Sequence, residues 1–221
     1  MFAKALALDT LYAAAYVGMG ELEYGKVSYG WTEFPTSALQ RALALGHKAL
    51  ELDESNASAH SLLSSVYTFQ NKLELAIKEA ERAIALNPNH AVSYSDLGWA
   101  LLWSGSVEAA IEALEMSLRL DVAMPREVWF HLGLAYYLQE NYAKASDILE
   151  AGMARRPDFP GYHIGLAAAY AKLGRHDAAA REAAAVRRSD PFFKVAAFGT
   201  GFRHPAHRQA IAEGLREAGL E

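Results

Sequence analysis

A repeat of about 34 residues runs through most of this 221-residue chain and constrains its fold more than any other feature. A leucine followed by a small residue recurs at steps of 34, 35 and 34 residues, at Leu63, Leu97, Leu132 and Leu166. Such a period is typical of proteins that stack one supersecondary unit on the next. Three further columns keep the same steps: Tyr67, Leu101, Tyr136 and Tyr170; Ala76, Ala110, Ala145 and Ala179; and Pro88, Val122, Pro157 and Pro191.

Each repeat is predicted to be a pair of helices joined by a short turn. The leucine and the residue four positions later, such as Leu97 and Leu101, share one helix face and are expected in the core. The small residue after the leucine and the column alanine allow the paired helices to approach closely. Helix-breaking residues lie between the two helices, at 70–71, 104–106, 140–141 and 174–175. The stretch LNPNH at 86–90 is predicted to end one helix and start the next, because proline fits a helix's first turn.

These columns resemble the tetratricopeptide repeat (TPR), whose unit is a helix–turn–helix of about 34 residues. The resemblance implies an all-α fold, a right-handed superhelical solenoid of antiparallel helix pairs. We predict five units over residues 13–192, a truncated or capping helix over 1–12, and two short capping helices within 193–221. The lone half-repeat at the start also leads us to expect that the chain is a piece of a longer protein.

The first unit carries an insertion near residues 21–39, because Met19 precedes Leu63 by 44 residues instead of 34. We predict a lengthened first helix and a loop around Gly30–Pro35. The insertion contains four aromatic residues, and we expect them to cover the open N-terminal side of the stack; a binding role is the alternative. These residues are Tyr24, Tyr29, Trp31 and Phe34.

The period stops after Pro191, and the tail is predicted to cap the last repeat. His204-Pro205 is expected to start a helix, and Gly219 is expected to follow its end. The tail also resembles the C-terminal repeat regions of bacterial class III adenylate or guanylate cyclase-type proteins and winged-helix regulators. That resemblance implies that any catalytic or DNA-binding domain would belong to a part of the protein outside this sequence.

Two tryptophans of the stretch DLGWALLWSG (96–105) are predicted to line a binding groove. Trp99 lies about 200° around the helix from Leu97, and Trp103 shares the face of Trp99. In the TPR family the first helices of successive units line a concave groove, and large aromatic residues dominate interface energetics. Packing between repeats is the alternative role for both tryptophans. The predicted partner-binding residues are Tyr24, Phe69, Trp99, Trp103, Phe130, His131, Leu134, Tyr137 and Ile164.

The best-known charged form of this groove clamps a peptide carboxylate with Lys, Asn and Arg at set columns. In this chain those columns hold Val17, Glu21, Leu62, Val92 and Asp96, so the clamp is absent. The expected partner is therefore a protein or peptide segment of apolar or aromatic character, such as an amphipathic helix laid in the groove.

Charge and composition exclude several classes of function. The net charge of −5 gives no case for nucleic acid, and the absence of cysteine excludes disulfides and thiolate chemistry and is compatible with a cytoplasmic location. No apolar run approaches the ~20 residues of a membrane helix, so no membrane partner is expected. Residues 155–221 carry 11 basic and 7 acidic residues. This basic end is typical of a solvated face; an acidic partner or a homo-oligomeric contact is the alternative.

No pattern of catalytic residues is present, and we expect neither enzyme activity nor a cofactor or metal. His204 and His207 have no carboxylates at metal-site spacing, and His60 and His163 occupy a column with Tyr94 and Trp129 that predicts packing. Two hypotheses follow. The chain is either a protein-binding scaffold or a regulatory or self-association module of a larger signalling enzyme or transcription regulator.

Overall fold

The computed structural model describes residues 2–123 and 126–221, which form twelve α-helices, one 3-10 turn and no strand. The chain divides into two compact units, Met1–Ala100 and Leu101–Glu221. The first unit contains α1 (Phe2–Leu8), α2 (Ala13–Ser28), α3 (Pro35–Leu52), α4 (Ala57–Phe69) and α5 (Leu73–Leu86). Helix α6 (Ala91–Ser104) begins in the first unit and ends in the second.

The second unit continues with helices that alternate in the same way. It contains α7 (Val107–Leu120), α8 (Arg126–Leu138), α9 (Tyr142–Arg155), α10 (Pro160–Lys172) and α11 (His176–Ser189). A 3-10 turn (Val195–Ala197) and α12 (Pro205–Glu217) follow. Within the units, α2 packs on α3, α4 on α5, α8 on α9 and α10 on α11. We call the first members, α2, α4, α6, α8 and α10, the A helices, and α3, α5, α7, α9 and α11 the B helices.

The predicted small-residue columns are buried where the paired helices meet. The column alanines Ala76, Ala110, Ala145 and Ala179 are all buried. At Gly133, in the small column of α8, an added Cβ would lie 2.5 Å from Leu149 Cγ. Because Leu149 is itself fully buried, the space between α8 and α9 admits only a glycine at position 133. The prediction of close helix approach is confirmed.

The turns after the A helices keep the period in their backbone conformation. Asn71, Gly105, Glu140 and Gly174 all have positive φ, at 57°, 98°, 63° and 69°. This left-handed residue ends a helix and lets the chain reverse, which suits glycine best and asparagine next. The predicted turn positions are therefore confirmed. Pro88 departs from expectation: α5 ends at Leu86 and α6 starts at Ala91, so Pro88 lies in the connection and not in a first turn.

The extra residues of the insertion in the first unit lengthen two helices and the loop that joins them. Helix α2 has 16 residues and α3 has 18, against 13 in α4 and 14 in α5. The loop between α2 and α3 is correspondingly longer than the turn between α4 and α5. The expectation that its aromatic residues cover the stack is wrong for most of them. Trp31 is 76% exposed and Phe34 and Tyr29 are also exposed, whereas Tyr24 is packed against Leu39 and Leu62.

The tail was predicted to cap the last repeat with two short helices. Its first element is only the 3-10 turn, but α12 starts after His204 and is followed by Gly219, as predicted. The helix packs on α10 and also reaches α8, so the tail covers A helices of more than the last repeat. The division into five repeat units and two caps stays a prediction.

Candidate functional site

Three predicted binding residues form a row across the A helices of the first unit. The rings of Tyr24 in α2 and Phe69 in α4 meet edge to face, with centroids 6.1 Å apart. Phe69 meets Trp99 of α6 in the same way at 5.9 Å. Phe69 is 39% exposed, whereas Trp99 is only 9% exposed. The row thus presents Phe69 to solvent and uses Trp99 as its buried support, which differs from the open tryptophan stripe that we expected.

Helix α6 is also rotated relative to the simple expectation from its leucines. Leu97 and Leu101 are half-buried, while Trp99 is buried. A leucine column therefore predicts the helix and its period correctly, but not the exposure of each neighbour.

A small pocket lies beside this row, in the first unit. Its cavity has a volume of about 130 Å³ and opens between α2, α4 and the start of α6. Four of its lining residues, Glu21, Leu62, Val92 and Asp96, stand at columns where a carboxylate clamp would need other residue types. The full lining consists of Glu21, Tyr24, Ser61, Leu62, Ser65, His90, Val92 and Asp96.

The floor of the pocket is a buried network of hydroxyl and carboxyl groups. Ser65 Oγ donates to Asp96 Oδ1 at 2.7 Å. Ser61 Oγ and Ser93 Oγ lie 2.9 Å apart, and His90 Nδ1 lies 2.7 Å from Ser93 Oγ. The side chains of Ser61, Ser65, Ser93 and Asp96 are all buried. The second carboxylate oxygen, Asp96 Oδ2, is buried without a hydrogen-bond partner.

Burial dominates the electrostatics of this pocket. Desolvation raises the pKa of Asp96 to about 7, against the opposing effect of the Ser65 and Ser61 hydroxyls, and the nearby Glu21 charge raises it further. Glu21 lies at the edge of the pocket, and partial burial raises its pKa as well. Burial lowers the pKa of His90, so its imidazole is neutral near pH 7. The ionised pocket is therefore negatively charged.

In the second unit, the tail lies against the predicted binding residue Trp103. The backbone N–H of Arg203 donates to the Trp103 carbonyl oxygen at 2.9 Å. The Phe202 and Trp103 rings have centroids 6.1 Å apart. A Cβ on Gly201 would lie 2.0 Å from Trp103 Cζ3, so the tail backbone touches the indole directly. Trp103 thus contacts a segment of its own chain.

The tail continues over two more A helices as α12. Tyr137 Oη donates to the Ala210 carbonyl oxygen at 2.9 Å, and Lys172 Nζ pairs with Glu217 Oε1 at 2.5 Å. Tyr137 and Leu134 are both buried. Desolvation raises the pKa of Tyr137, so its hydroxyl stays protonated and acts as a donor. The tail therefore lies on part of the face that was expected to receive a partner.

The other three predicted residues of the second unit are half-buried. The Phe130 ring lies edge to face with Phe159 at 5.5 Å and packs against the core cluster that contains Trp129, Leu149 and Tyr162. His131 lies beside Phe130, and desolvation lowers its pKa to about 3, so it is uncharged near pH 7. Ile164 is half-buried on α10.

Two histidines were predicted to be packing residues, and both are partly buried between paired helices, where each also contacts a glutamate. His60 Nδ1 lies 2.6 Å from Glu79 Oε2, and His163 Nδ1 lies 2.6 Å from Glu182 Oε2. Each pair joins the A and B helices of one repeat at the same column. Within residues 2–123 and 126–221, no group of three or more histidine, aspartate or glutamate side chains could hold a metal ion. None of the helices in those ranges is long and apolar enough to cross a membrane.

Comparison with family models decides the identity of the repeat. Two tetratricopeptide-repeat models match the chain, one over residues 136–198 and the other over residues 62–125 and 95–152. Together they span residues 62–198, more than half of the chain. The chain belongs to the tetratricopeptide repeat family. A TPR domain is generally a protein–protein interaction scaffold that binds protein or peptide partners.

Solved TPR structures share the fold at low sequence identity. YrrB, a TPR protein with an unusual peptide-binding site, is 22% identical, with 87% of this chain and 93% of that chain covered and a TM-score of 0.58. A thermophilic TPR protein of Thermus thermophilus is 21% identical, with 88% and 99% covered and a TM-score of 0.61. PilF of Pseudomonas aeruginosa is 20% identical, with 91% and 88% covered and a TM-score of 0.67.

These likenesses confirm the all-α TPR solenoid class. The narrower resemblance of the tail to cyclase-type and winged-helix regulator proteins is not supported by the comparisons. The sequence analysis identified Glu21, Leu62, Val92 and Asp96 of this pocket only as clamp columns and Tyr24 only as a groove residue. The signal that could have found the pocket was the pair Ser61 and Ser65, one helical turn apart, with Asp96 in the next A helix.

Proposed function

We propose that this TPR protein is a scaffold that binds a segment of a partner protein on the A helices of the first unit. The observation that carries the proposal is the row of Tyr24, Phe69 and Trp99. A half-exposed Phe69 with aromatic rings on both sides is a preorganised apolar surface. Anchors of this kind contribute most of the binding energy in protein interfaces.

The partner segment is expected to be apolar or aromatic, as an amphipathic helix would be. An amphipathic helix places apolar residues at i, i+3 and i+4 along one face, which suits a row of side chains supplied by successive helices. The peptide-binding site named for YrrB supports a peptide as the class of ligand. A homo-oligomeric contact remains a second source of such a segment.

The first unit is favoured over the second because of the tail. Trp103, Leu134 and Tyr137 are buried or lie against residues 199–217, so a partner would have to displace that segment to reach them. Phe130, His131 and Ile164 remain proposed as secondary contacts. The alternative of a regulatory module of a larger enzyme is not favoured by the comparisons, and we do not propose it.

The test is a selection of displayed peptides on the full chain, followed by affinity measurements with two variants. Phe69→Ala removes the exposed anchor, and we expect it to weaken the selected peptides by about 30-fold, because an interface anchor is worth about 2 kcal/mol. Phe192→Ala is the matched control, since Phe192 lies in the tail connection and is 87% exposed.

Both variants should keep the thermal midpoint of the wild type within a few degrees, because each truncates a side chain that is partly or largely exposed. Peptides that bind Phe69→Ala and wild type equally well would overturn the proposed site. Peptides that lose affinity for Phe192→Ala instead would move the site to the C-terminal region.

A further inference from the structure

We propose that the pocket between Glu21, Tyr24 and Asp96 receives a cationic side chain, a lysine or arginine, of the bound partner segment. This inference rests on the proposed function and specifies the chemistry of the partner. The segment would place an apolar residue on Phe69 and a basic residue in the neighbouring pocket.

The size of the pocket limits what can enter it. About 130 Å³ is close to the volume of a cavity that holds one benzene-sized group. This space accepts the end of one side chain, while the backbone of a partner helix must stay on the row outside. The pocket is therefore a side-chain subsite and not a second groove.

One carboxylate oxygen of Asp96 has no hydrogen-bond partner, so the pocket favours a ligand that supplies a hydrogen-bond donor. Asp96 is 6% exposed, and its Oδ1 accepts the Ser65 hydroxyl. The Ser61 hydroxyl lies close enough to lower the pKa of this carboxyl group but is hydrogen-bonded to Ser93 Oγ, and Oδ2 has no hydrogen bond of normal geometry. A buried acceptor without a partner is unfavourable, and one from a carboxylate more so. An ammonium or guanidinium group supplies several N–H donors and a positive charge to the same oxygen.

The charges around the pocket all favour a cation. None of the lining residues is lysine or arginine. The titratable groups of the pocket are Glu21 and Tyr24 from α2, His90 just before α6, and Asp96 within α6. Helix α4 contributes only serine hydroxyls and Leu62. The neutral His90 adds no positive charge. Glu21 at the edge provides a second carboxylate, and Tyr24 an aromatic wall that also attracts cations.

The experiment uses two small probes that differ only in the side-chain ammonium group. N-acetyl-lysine amide and N-acetyl-norleucine amide are titrated into the full chain at pH 8, and backbone amide resonances are followed by NMR. We expect the lysine probe to shift the amides of Ser61, Ser65 and Asp96, and the norleucine probe to leave them in place. An N-acetyl-arginine amide titration should shift the same amides.

Two variants and one control test the carboxylates. Asp96→Asn keeps the size of the side chain and removes its charge, and Glu21→Gln does so at the exposed edge, where folding is not at risk. Each should weaken the lysine probe by about tenfold or more, since a hydrogen bond between charged groups is lost. Glu81→Gln, an exposed carboxylate on α5, should leave the affinity unchanged.

Equal shifts by both probes, or lysine binding that survives Asp96→Asn and Glu21→Gln, would overturn the inference. If that happened while Phe69→Ala still weakened peptide binding, the scaffold proposal would stand without the cation subsite. If the selected peptides bound Phe69→Ala and wild type equally well while the lysine probe still bound, the scaffold proposal would be overturned instead. If the wild type doubled in mass as its concentration rose while Asp96→Asn did not, the result would mean that the pocket binds a basic residue of a second copy of this chain. That result would overturn the inference of a separate partner protein.

Discussion

A buried carboxyl group next to serine hydroxyls sets Asp96 apart from the exposed acidic residues of the chain. Its pKa of about 7 in the folded protein compares with an ordinary value of 3.8, and burial is the main cause. The proton that the unfolded chain releases near pH 4 is thus retained by the folded chain until pH 7. Folding and ionisation of this group therefore oppose each other between these two pH values.

This linkage predicts how Asp96→Asn changes stability. The stabilisation from the raised pKa is complete below about pH 4 and is lost as pH rises through about 7. Because asparagine cannot ionise, the variant should gain on wild type across this window, by about 4 kcal/mol between pH 4 and pH 8. Urea unfolding at several pH values measures it. A stability difference that does not change with pH would mean that Asp96 titrates as an exposed carboxyl does.

Glycine positions provide a second residue-scale test, because two helical glycines should respond in opposite ways. A Cβ at Gly133 would lie 2.5 Å from the buried Leu149, whereas one at Gly25 in α2 would lie 3.8 Å from the nearest atom, in Tyr29. We expect Gly133→Ala to destabilise by about 1–3 kcal/mol through overpacking. Gly25→Ala should stabilise by about 0.5–1 kcal/mol through helix propensity. The free energy of unfolding measures both, and a stabilising Gly133→Ala would contradict the tight contact.

At the scale of elements, α12 and the segment before it are the parts that the repeat does not explain. Residues 201–203 lie against Trp103 and α12 packs on α8 and α10, so the tail lies on part of the surface that we predicted to receive a partner. The contacts are specific: a backbone hydrogen bond from Arg203 to Trp103, a hydrogen bond from the Tyr137 side-chain hydroxyl to the tail backbone, and an ion pair at Lys172. They hold the segment in one register.

A larger side chain at position 201, where the tail contacts Trp103, should displace the tail. Gly201→Val introduces a side chain where a Cβ would already lie 2.0 Å from the Trp103 ring. We expect faster hydrogen exchange in α12 and a red-shifted tryptophan fluorescence. Ala206→Val, on an exposed position of α12, adds a comparable volume and should change neither. Unchanged exchange in Gly201→Val would show that the segment does not depend on this contact.

At the scale of the whole molecule, the sequence predicts the features that recur with the 34-residue repeat. The helices, the turns at 70–71, 104–106, 140–141 and 174–175, and the buried alanine column follow from it, because each repeat meets its neighbour through the same positions. The helix after His204 was also predictable, since proline and glycine mark its ends.

The rest depends on contacts that no period describes. The path of the tail back to Trp103 joins residues about a hundred positions apart, and a single amphipathic segment does not say which surface it covers. The polar pocket combines residues of three helices, and the burial of Asp96 is a property of all of them together. The exposure of Phe69 instead of Trp99 likewise reflects how two rings pack, which spacing alone cannot determine.

The most direct measurement is a double-mutant cycle between the cation pocket and a selected peptide. The peptide that binds best is made with its lysine or arginine and with norleucine, and both are titrated by calorimetry at pH 8 into wild type and Asp96→Asn. We expect a coupling free energy of about 1–3 kcal/mol, as for groups in direct contact. Additive effects, with a coupling near zero, would contradict a basic residue of the partner in the pocket beside Phe69.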